Sequence, residues 1–233
     1  GYDGKGQAVV RSLEDAGPAW RTIGAAPAIV EAFVPFEREL SILSVRGRDG
    51  ATAFYPLVEN HHRQGILRRS IAPAPDVTIA FQQQAQAIAK LVLEELDYVG
   101  VLAIELFQVG DVLLANELAP RVHNSGHWTI EGATTSQFEN HVRAVLGLPL
   151  GATDCQRPTA MFNLIGALPP IERLLAISGA HVHLYGKAPR PGRKLGHITL
   201  CSDTHNDLQA QCTRVQALLD ESIELNAREY PGA

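Results

Sequence analysis

Asn116-Glu117-Leu118-Ala119-Pro120-Arg121-Val122-His123-Asn124-Ser125-Gly126-His127-Trp128 is the point where an apolar run gives way to a crowded polar loop. Val112–Leu118 reads as a strand, and the loop after it gathers a guanidinium, an imidazole, an amide and a hydroxyl. That set suits a small oxyanion. Arg121 offers charge and a planar fork of donors, and His123 and Asn124 offer directional hydrogen bonds. On these residues alone, a polar loop satisfying its own backbone is an equal alternative. His123 and His127 have the spacing of helical metal ligands, but the stretch reads as loop and no third ligand adjoins it.

Upstream, Val99–Phe107 reads as a second strand, joined to the first around Val109-Gly110-Asp111. Each strand carries one carboxylate in apolar surroundings, Glu105 and Glu117, and burying such a group is costly unless it is paired or binds a metal. Opposed residues on neighbouring strands share a face. Pairing Phe107 with Leu113, or Gln108 with Val112, puts both glutamates on the same face, and a slip of one residue separates them. Together they suit Mg²⁺, which takes hard oxygen ligands. The alternative is two unrelated edge-strand glutamates. Asn116 points the other way unless the strand ends there.

Two basic or glycine-rich stretches flank this centre. Gly1-Tyr2-Asp3-Gly4-Lys5-Gly6-Gln7 allows a tight turn whose backbone N–H groups surround an anion, with Lys5 adding charge. Its spacing fits neither the P-loop nor the dinucleotide fingerprint. No element precedes it, so the expectation is that the chain begins within a domain. Tyr185 to His197 carries Lys187, Arg190, Arg193, Lys194 and His197. This is either a site for a substrate phosphate or a solvated basic turn.

Between these motifs the pattern predicts strands at Ala8–Arg11, at a buried Ala28–Val34, and at Glu39–Arg46 and Thr52–Leu57 around the turn Asp49-Gly50, with another at Ile66–Ala72. A helix follows from Asp76 or Thr78 to about Asp97, its face set by Phe81, Ala85, Ile88, Val92 and Leu96. A second helix spans Thr134–Leu146, with Phe138, Val142 and Val145 on one side. Beyond Pro149–Pro158 come strands at Ala160–Leu168, His181–Tyr185 and His197–Cys201 and a helix at Leu208–Leu225. This is an α+β protein: a mainly antiparallel sheet domain over residues 1–153, then a small β-rich C-terminal domain over 154–233.

The bulk numbers agree with an ordinary soluble protein. The chain has 233 residues, 45% of them hydrophobic, enough for a sizeable core, and a net charge of −5 that does not favour nucleic acid as the partner. No apolar run is long enough to cross a bilayer. Three cysteines without a C-x-x-C pair suit a reducing cytoplasm.

Taken in order, the glycine loop, Ile29-Val30-Glu31-Ala32-Phe33-Val34, the two strand glutamates and Asn116–Trp128 resemble the ATP-grasp superfamily. Within it the chain is similar to the N5-carboxyaminoimidazole ribonucleotide synthetases, most specifically in Gly1–Gln7, Phe54-Tyr55-Pro56-Leu57-Val58-Glu59-Asn60, Asn116–Trp128 and Arg190–His197. The resemblance runs from residue 1 to about residue 220. It implies an ATP-grasp fold and a ligase that uses ATP, Mg²⁺ and bicarbonate to carboxylate aminoimidazole ribonucleotide by way of carboxyphosphate, in a homodimer.

By the same resemblance, Gly1, Tyr2, Asp3, Gly4, Lys5, Gly6 and Gln7 form a flap over the ATP phosphates. Glu31, Ala32, Phe33 and Val34 hold adenine, Glu39 the ribose, and His62 lies near the nucleotide. Glu105 and Glu117 hold Mg²⁺ with Asn116 beside them. Arg121, His123 and Asn124 hold bicarbonate, and Lys187, Arg193 and Lys194 grip the ribonucleotide phosphate, with Lys194 also at the reaction centre. The family's chains start with an N-terminal α/β domain, and basic ATP-contacting residues precede their glycine loop. Neither is in this sequence, so the segment alone is not expected to be fully active. Two rival readings remain: an ATP-grasp ligase with another acceptor, such as biotin carboxylase or a formate-using glycinamide ribonucleotide transformylase, and a non-catalytic nucleotide-binding module.

Overall fold

The computed structural model describes residues 6–229. Nine strands form one sheet: β1 (Arg38–Arg46), β2 (Thr52–Phe54), β3 (Val58–Arg63), β4 (Ile66–Ala72), β5 (Gly100–Val109), β6 (Val112–Ala119), β7 (Thr159–Ile165), β8 (Ala180–Leu184) and β9 (Lys194–Cys201). Their order is β6-β5-β1-β3-β4-β7-β9-β8, with β2 added to β1, and every pairing is antiparallel. The sheet runs unbroken across residue 153, because β4 pairs with β7.

The two faces carry different chemistry, as strand alternation requires. One face is mainly apolar over its centre, with Arg38, Ser44, Glu59 and Arg69 among its polar members. Leu40, Ile42, Leu102, Ile104 and Leu106 meet helix α2 (Ile79–Glu95), and Ile71, Phe162, Leu164, Ile198 and Leu200 meet α5 (Ile171–Leu175) and α6 (His205–Glu229). The opposite face is mixed. Leu43, Ala103, Met161 and Trp128 form a buried cluster on it, beside the polar residues Glu39, Ser41, Asn60, Ser70 and Glu105. The segment from Arg121 through α3 (Thr129–Gly132) to α4 (Gln137–Leu146) lies over this face.

Helix α2 begins where expected, with Thr78 Oγ1 accepting from the Phe81 N–H at 3.2 Å. Its buried line is Ala85, Ala89 and Leu93. Phe81, Ile88 and Val92 only flank it, and Leu96 is exposed. Alanines bring the helix close to the sheet, so the larger apolar side chains are pushed to the margins. Helix α4 starts three residues later than the pattern predicts. Ser136 caps it at the Glu139 N–H, and Gly147, at φ +72°, ends it. Its expected apolar side is outward, with Phe138, Val142 and Val145 exposed, while Gln137, Asn140 and Ala144 are buried. The buried amides are used there: Asn140 Nδ2 donates to the Tyr55 hydroxyl at 2.9 Å, and Gly151 N–H donates to Asn140 Oδ1 at 2.8 Å.

Two expected strands do not form. Residues 8–11 and 28–34 run without strand pairing among the described residues, and Ile29, Val30 and Phe33 are exposed. An apolar run becomes a buried strand only if a partner edge and a covering layer exist for it. Conversely, α1 (Ala16–Thr22) and β3 were not foreseen. Strand β3 reads Val-Glu-Asn-His-His-Arg, so its inward side is too polar to alternate visibly.

Tyr55 is fully buried, and its hydroxyl donates to Thr135 O at 2.9 Å while accepting from Asn140. Tyr55→Phe strands both partners in the core. It should lower unfolding free energy by about 1–3 kcal/mol, read from the urea midpoint at unchanged slope.

Candidate functional site

The β5–β6 hairpin decides where the carboxylates sit. Near its two-residue turn the pairs are Val109 with Val112, Gln108 with Leu113 and Leu106 with Ala115. This is the slipped register, the one that separates the two glutamates. The ladder then shifts between Glu105 and Leu106, so that Asn116 is skipped and Glu105 lies directly opposite Glu117. A single bulge residue therefore restores the shared face. Asn116 and Glu117 are exposed on the edge strand and only Glu105 is largely buried, which corrects the expectation of two buried carboxylates.

A third carboxylate joins from β1. Glu39 lies two residues before Ser41, which pairs with Glu105, and Glu39 forms a short ion pair with His62. Burial opposes charge on His62, but the hydrogen bond and charge of Glu39 outweigh it and hold the imidazole pKa above its ordinary value. Burial raises the pKa of Glu105. His62 pulls it down, Glu117 and Glu39 add to the rise, and Arg121 offsets part of it. Carboxylates crowded around Glu105 in this way are suited to a divalent cation, which would reverse the repulsion that Glu105 feels. Glu39 is engaged by His62, and among the described residues no group of three or more His, Cys, Asp or Glu is placed to hold a metal ion by itself. Glu105 and Glu117 therefore fit Mg²⁺, which keeps several waters and shares phosphate oxygens.

The loop after β6 is held by one amide. Gln137 Oε1 accepts from the His123 N–H at 2.9 Å, and its Nε2 donates to His123 O at 2.7 Å and lies 3.2 Å from His127 Nδ1. A side chain on Gly126 would collide with Leu43 and Gln137, so the loop lies directly on the sheet. His123 caps the short 3-10 turn Asn124–Gly126 with its own ring, and its Nε2 is 3.4 Å from Glu105 Oε1. Burial, with help from Arg121, His62 and Lys194, lowers its pKa to about 4. Arg121 is exposed, with its guanidinium donating to Val122 O at 3.0 Å. The structure thus places Glu105, Glu117, Arg121 and His123 close together on one face of the sheet.

Asn124 links this group to the basic turn, because its Oδ1 meets Lys194 Nζ in a short hydrogen bond. Lys194 and Lys187 both lie over the Tyr185 ring, at 5.5 and 5.6 Å. Burial and the nearby Lys187 lower the Lys194 pKa to about 7. Arg193 is half-buried and bonds within the turn, to Ala188 O at 3.4 Å. Gly1 to Lys5 lie outside the described residues, while Gly6 and Gln7 are exposed. Glu31, Ala32 and Phe33 are exposed and Val34 is half-buried. The chain after them docks on the hairpin, with Phe36 stacked on Phe107 at 4.4 Å and the Glu37 carboxylate accepting from the Gly110 N–H at 2.9 Å.

The sequence reading did not foresee His183 and Glu131, which join Tyr185 and His197 in a row of polar groups on the same face. Tyr185 Oη lies 2.7 Å from His197 Nδ1, His197 stacks on His183 at 4.4 Å, and His183 Nε2 meets Glu131 Oε1 at 2.7 Å. Ser41 and Ser70 were missed too, while Asn60 and Ser125 stood in quoted strings without their buried partners being foreseen. They are short polar side chains scattered over three strands and a loop, with no motif to join them. Burial, with lesser contributions from nearby cations and imidazoles, drops the pKa of His127 to about 2 and of His197 to about 3. Both are neutral in the folded state and charge freely once unfolded, near pH 6.5. Stability should therefore fall as pH drops from about 6.5 toward 3, by at most about 1.4 kcal/mol per pH unit for each ring. A urea midpoint unchanged between pH 7.5 and pH 5 would show that these rings charge freely in the folded protein.

Comparison with known proteins agrees with this geometry. Residues 1–138 match the ATP-grasp domain, and residues 159–211 match the phosphoribosylaminoimidazole carboxylase C-terminal domain. The N5-carboxyaminoimidazole ribonucleotide synthase of Pseudomonas aeruginosa is 53% identical over 220 residues, 94% of this chain and 60% of that protein. The crystal structure of N5-carboxyaminoimidazole ribonucleotide synthetase from Thermus thermophilus superposes with a TM-score of 0.88 at 60% identity, over 91% of this chain and 59% of that one. The Aspergillus clavatus N5-carboxyaminoimidazole synthase, in complex with ADP and 5-aminoimidazole ribonucleotide, gives 0.85 at 35% identity, over 90% and 58%. This chain spans about 60% of the length of the relatives it matches. With the glutamates opposed by the bulge and a family match over residues 1–138, the chain belongs to the ATP-grasp family.

Proposed function

We propose that the chain carries most of the machinery of an ATP- and bicarbonate-dependent C–N ligase. Its reaction would convert 5-aminoimidazole ribonucleotide to N5-carboxyaminoimidazole ribonucleotide, a step of de novo purine biosynthesis. The observation that carries this reading is the Asn124–Lys194 hydrogen bond. It joins the loop beside the opposed glutamates to the basic turn, so phosphoryl transfer and ribonucleotide binding share one face of the sheet. The ADP and ribonucleotide in the Aspergillus clavatus structure support the same pairing of sites.

In this reading a bicarbonate oxygen attacks the γ-phosphorus of ATP, and ADP leaves with its electron pair. The resulting carboxyphosphate, or carbon dioxide released from it, then carboxylates the exocyclic amine of the ribonucleotide. Gly1–Gln7 close over the ATP phosphates and exclude water from the unstable carboxyphosphate. Glu31, Ala32, Phe33 and Val34 hold adenine, and Glu39, paired with His62, holds the ribose. Glu105 and Glu117 would hold Mg²⁺, with Asn116 beside them. The ion, when bound, supplies positive charge to the transferring phosphoryl oxygens. Arg121, His123 and Asn124 hold bicarbonate, and Lys187, Arg193 and Lys194 hold the ribonucleotide phosphate, Lys194 also facing the reaction through Asn124. No side-chain nucleophile is needed.

Three further assignments belong to this reading. The chain divides into an ATP-grasp part, 1–153, and a small C-terminal part, 154–233, a division supported by the extents of the two family matches. The protein works as a homodimer, as the resemblance implies. It works in the cytoplasm, a reading supported by three free cysteines; no described helix is long and apolar enough to cross a membrane.

The deciding assay measures ADP release with Mg-ATP and bicarbonate, with and without the ribonucleotide. It is run on this chain and on a protein extended upstream of Gly1 to the length of its relatives. Release that depends on the ribonucleotide, with carbamate formed in step, is the expected result. Release indifferent to it would move the acceptor to another molecule. Glu117→Gln should cut turnover by about a hundredfold or more without changing the urea midpoint, because this exposed carboxylate serves the metal rather than the core. Near-normal turnover at saturating Mg²⁺ would remove the metal assignment. The Lys194 amine is neutral above about pH 7, whereas a phosphate prefers an ammonium. The ribonucleotide KM should therefore climb as pH rises through 7, and Lys194→Arg should flatten that climb.

A further inference from the structure

Four buried polar side chains without a task in the reaction form a single hydrogen-bonded chain that ends at His123. Ser70 Oγ donates to Asn60 Oδ1 at 2.8 Å, and Asn60 Nδ2 donates to Ser41 Oγ at 2.9 Å. Ser41 Oγ donates to Ser125 Oγ at 2.9 Å, and Ser125 Oγ lies 2.9 Å from His123 Nδ1. The far nitrogen of that ring, Nε2, faces Glu105 Oε1. All four side chains are buried in the sheet or beneath the loop.

The direction of every proton follows from one donor that cannot rotate. The backbone N–H of Ser125 points at His123 Nδ1, 3.3 Å away, so Nδ1 accepts and carries no proton. The Ser125 hydroxyl must then also donate to Nδ1, and so it accepts from Ser41. A hydroxyl has one proton to give. Ser41 therefore accepts from the Asn60 NH₂ group, which turns Asn60 Oδ1 toward Ser70 as an acceptor. Three strands and a loop agree on one imidazole tautomer, with its proton on Nε2.

We propose that Ser41, Asn60, Ser70 and Ser125 are positioning residues that lock His123 as the Nε2–H tautomer, so that the ring presents a donor to the anionic substrate beside Glu105. The proposal rests on the bicarbonate reading above. The opposite tautomer would aim a lone pair at an oxyanion and repel it, whereas a preorganised donor binds it without reorientation. In this role His123 is a hydrogen-bond donor and not a general base.

The test labels histidine with ¹⁵N and reads the His123 ring by long-range ¹⁵N–¹H correlation, alongside bicarbonate and ATP KM values. Two variants are compared with the wild type: Ser41→Ala in the middle of the chain, and Ser70→Ala at its far end as the milder lesion. The wild type should show a protonated Nε2 and a bare Nδ1. Both variants leave the long backbone donor on Nδ1 at 3.3 Å but release the direction of the closer Ser125 hydroxyl at 2.9 Å. They should therefore admit a detectable fraction of the Nδ1–H form and raise the bicarbonate KM roughly threefold to tenfold, the worth of one hydrogen bond, with the ATP KM unchanged. A wild-type ring protonated at Nδ1, or no tautomer change in either variant, overturns the relay. A changed tautomer with an unchanged bicarbonate KM overturns its positioning role. Absence of bicarbonate-dependent ADP release in the wild type overturns the ligase reading and the positioning role with it, and the spectrum still decides the tautomer.

Discussion

The arrangement of the site depends on one extra residue in an edge strand. The tight turn at Gly110 and Asp111 fixes the hairpin register, and that register alone would set Glu105 opposite Asn116. Side chains alternate every residue, so such an offset sends a whole strand's functional groups to the wrong face. The shift beside Glu105 takes up the offset. Everything beyond it is then in phase: Glu117 faces Glu105, and Ala119 faces inward onto the apolar cluster around Trp128. The loop that follows leaves the sheet on the side where its imidazole and guanidinium are useful.

The same face has to reconcile two demands. It must be dry enough to strengthen electrostatic interactions and polar enough to hold charge. The sheet meets both by dividing the face lengthwise. Leu43, Ala103, Met161 and Trp128 seal one part, while Glu39, Ser41, Asn60 and Glu105 occupy the other. Buried polar groups in the second part are tolerated because they satisfy one another, from Ser70 through Asn60 and Ser41 to Ser125 and His123. Gln137 does the same for the loop backbone. This is also why α4 turns its larger apolar residues outward: its inward positions are reserved for amides.

Electrostatics divide the face in the other direction. Near β6 and β1, Glu39, Glu105 and Glu117 crowd negative charge, and His62 and Arg121 offset part of it. Near β9, Lys187 and Lys194 crowd positive charge around Tyr185, and burial weakens the Lys194 ammonium. Asn124, a neutral amide, bridges the two. Such a gradient suits a face that handles a cation with a polyphosphate at one end and a phosphate monoester at the other.

By itself the sequence determined the strongly periodic elements and the residue types of the site. Strands β1, β4, β5, β6 and β9, the start of α2 at Asp76 or Thr78 and the candidate residues Glu105, Glu117, Arg121 and His123 were legible, because alternation, capping and motif order are local properties. Tertiary structure alone decided what depends on partners. Val30 and Phe33 are as apolar as any core residue, yet they stay exposed, because an apolar run is buried only where another surface covers it. Strand β3 is polar to the eye, yet it lies inside the sheet, because its asparagine and histidines find partners there. The bulge at Asn116 and the direction of the serine–asparagine chain belong to this second kind. Both arise from hydrogen bonds between residues far apart in the chain, and those leave no periodic trace in the sequence.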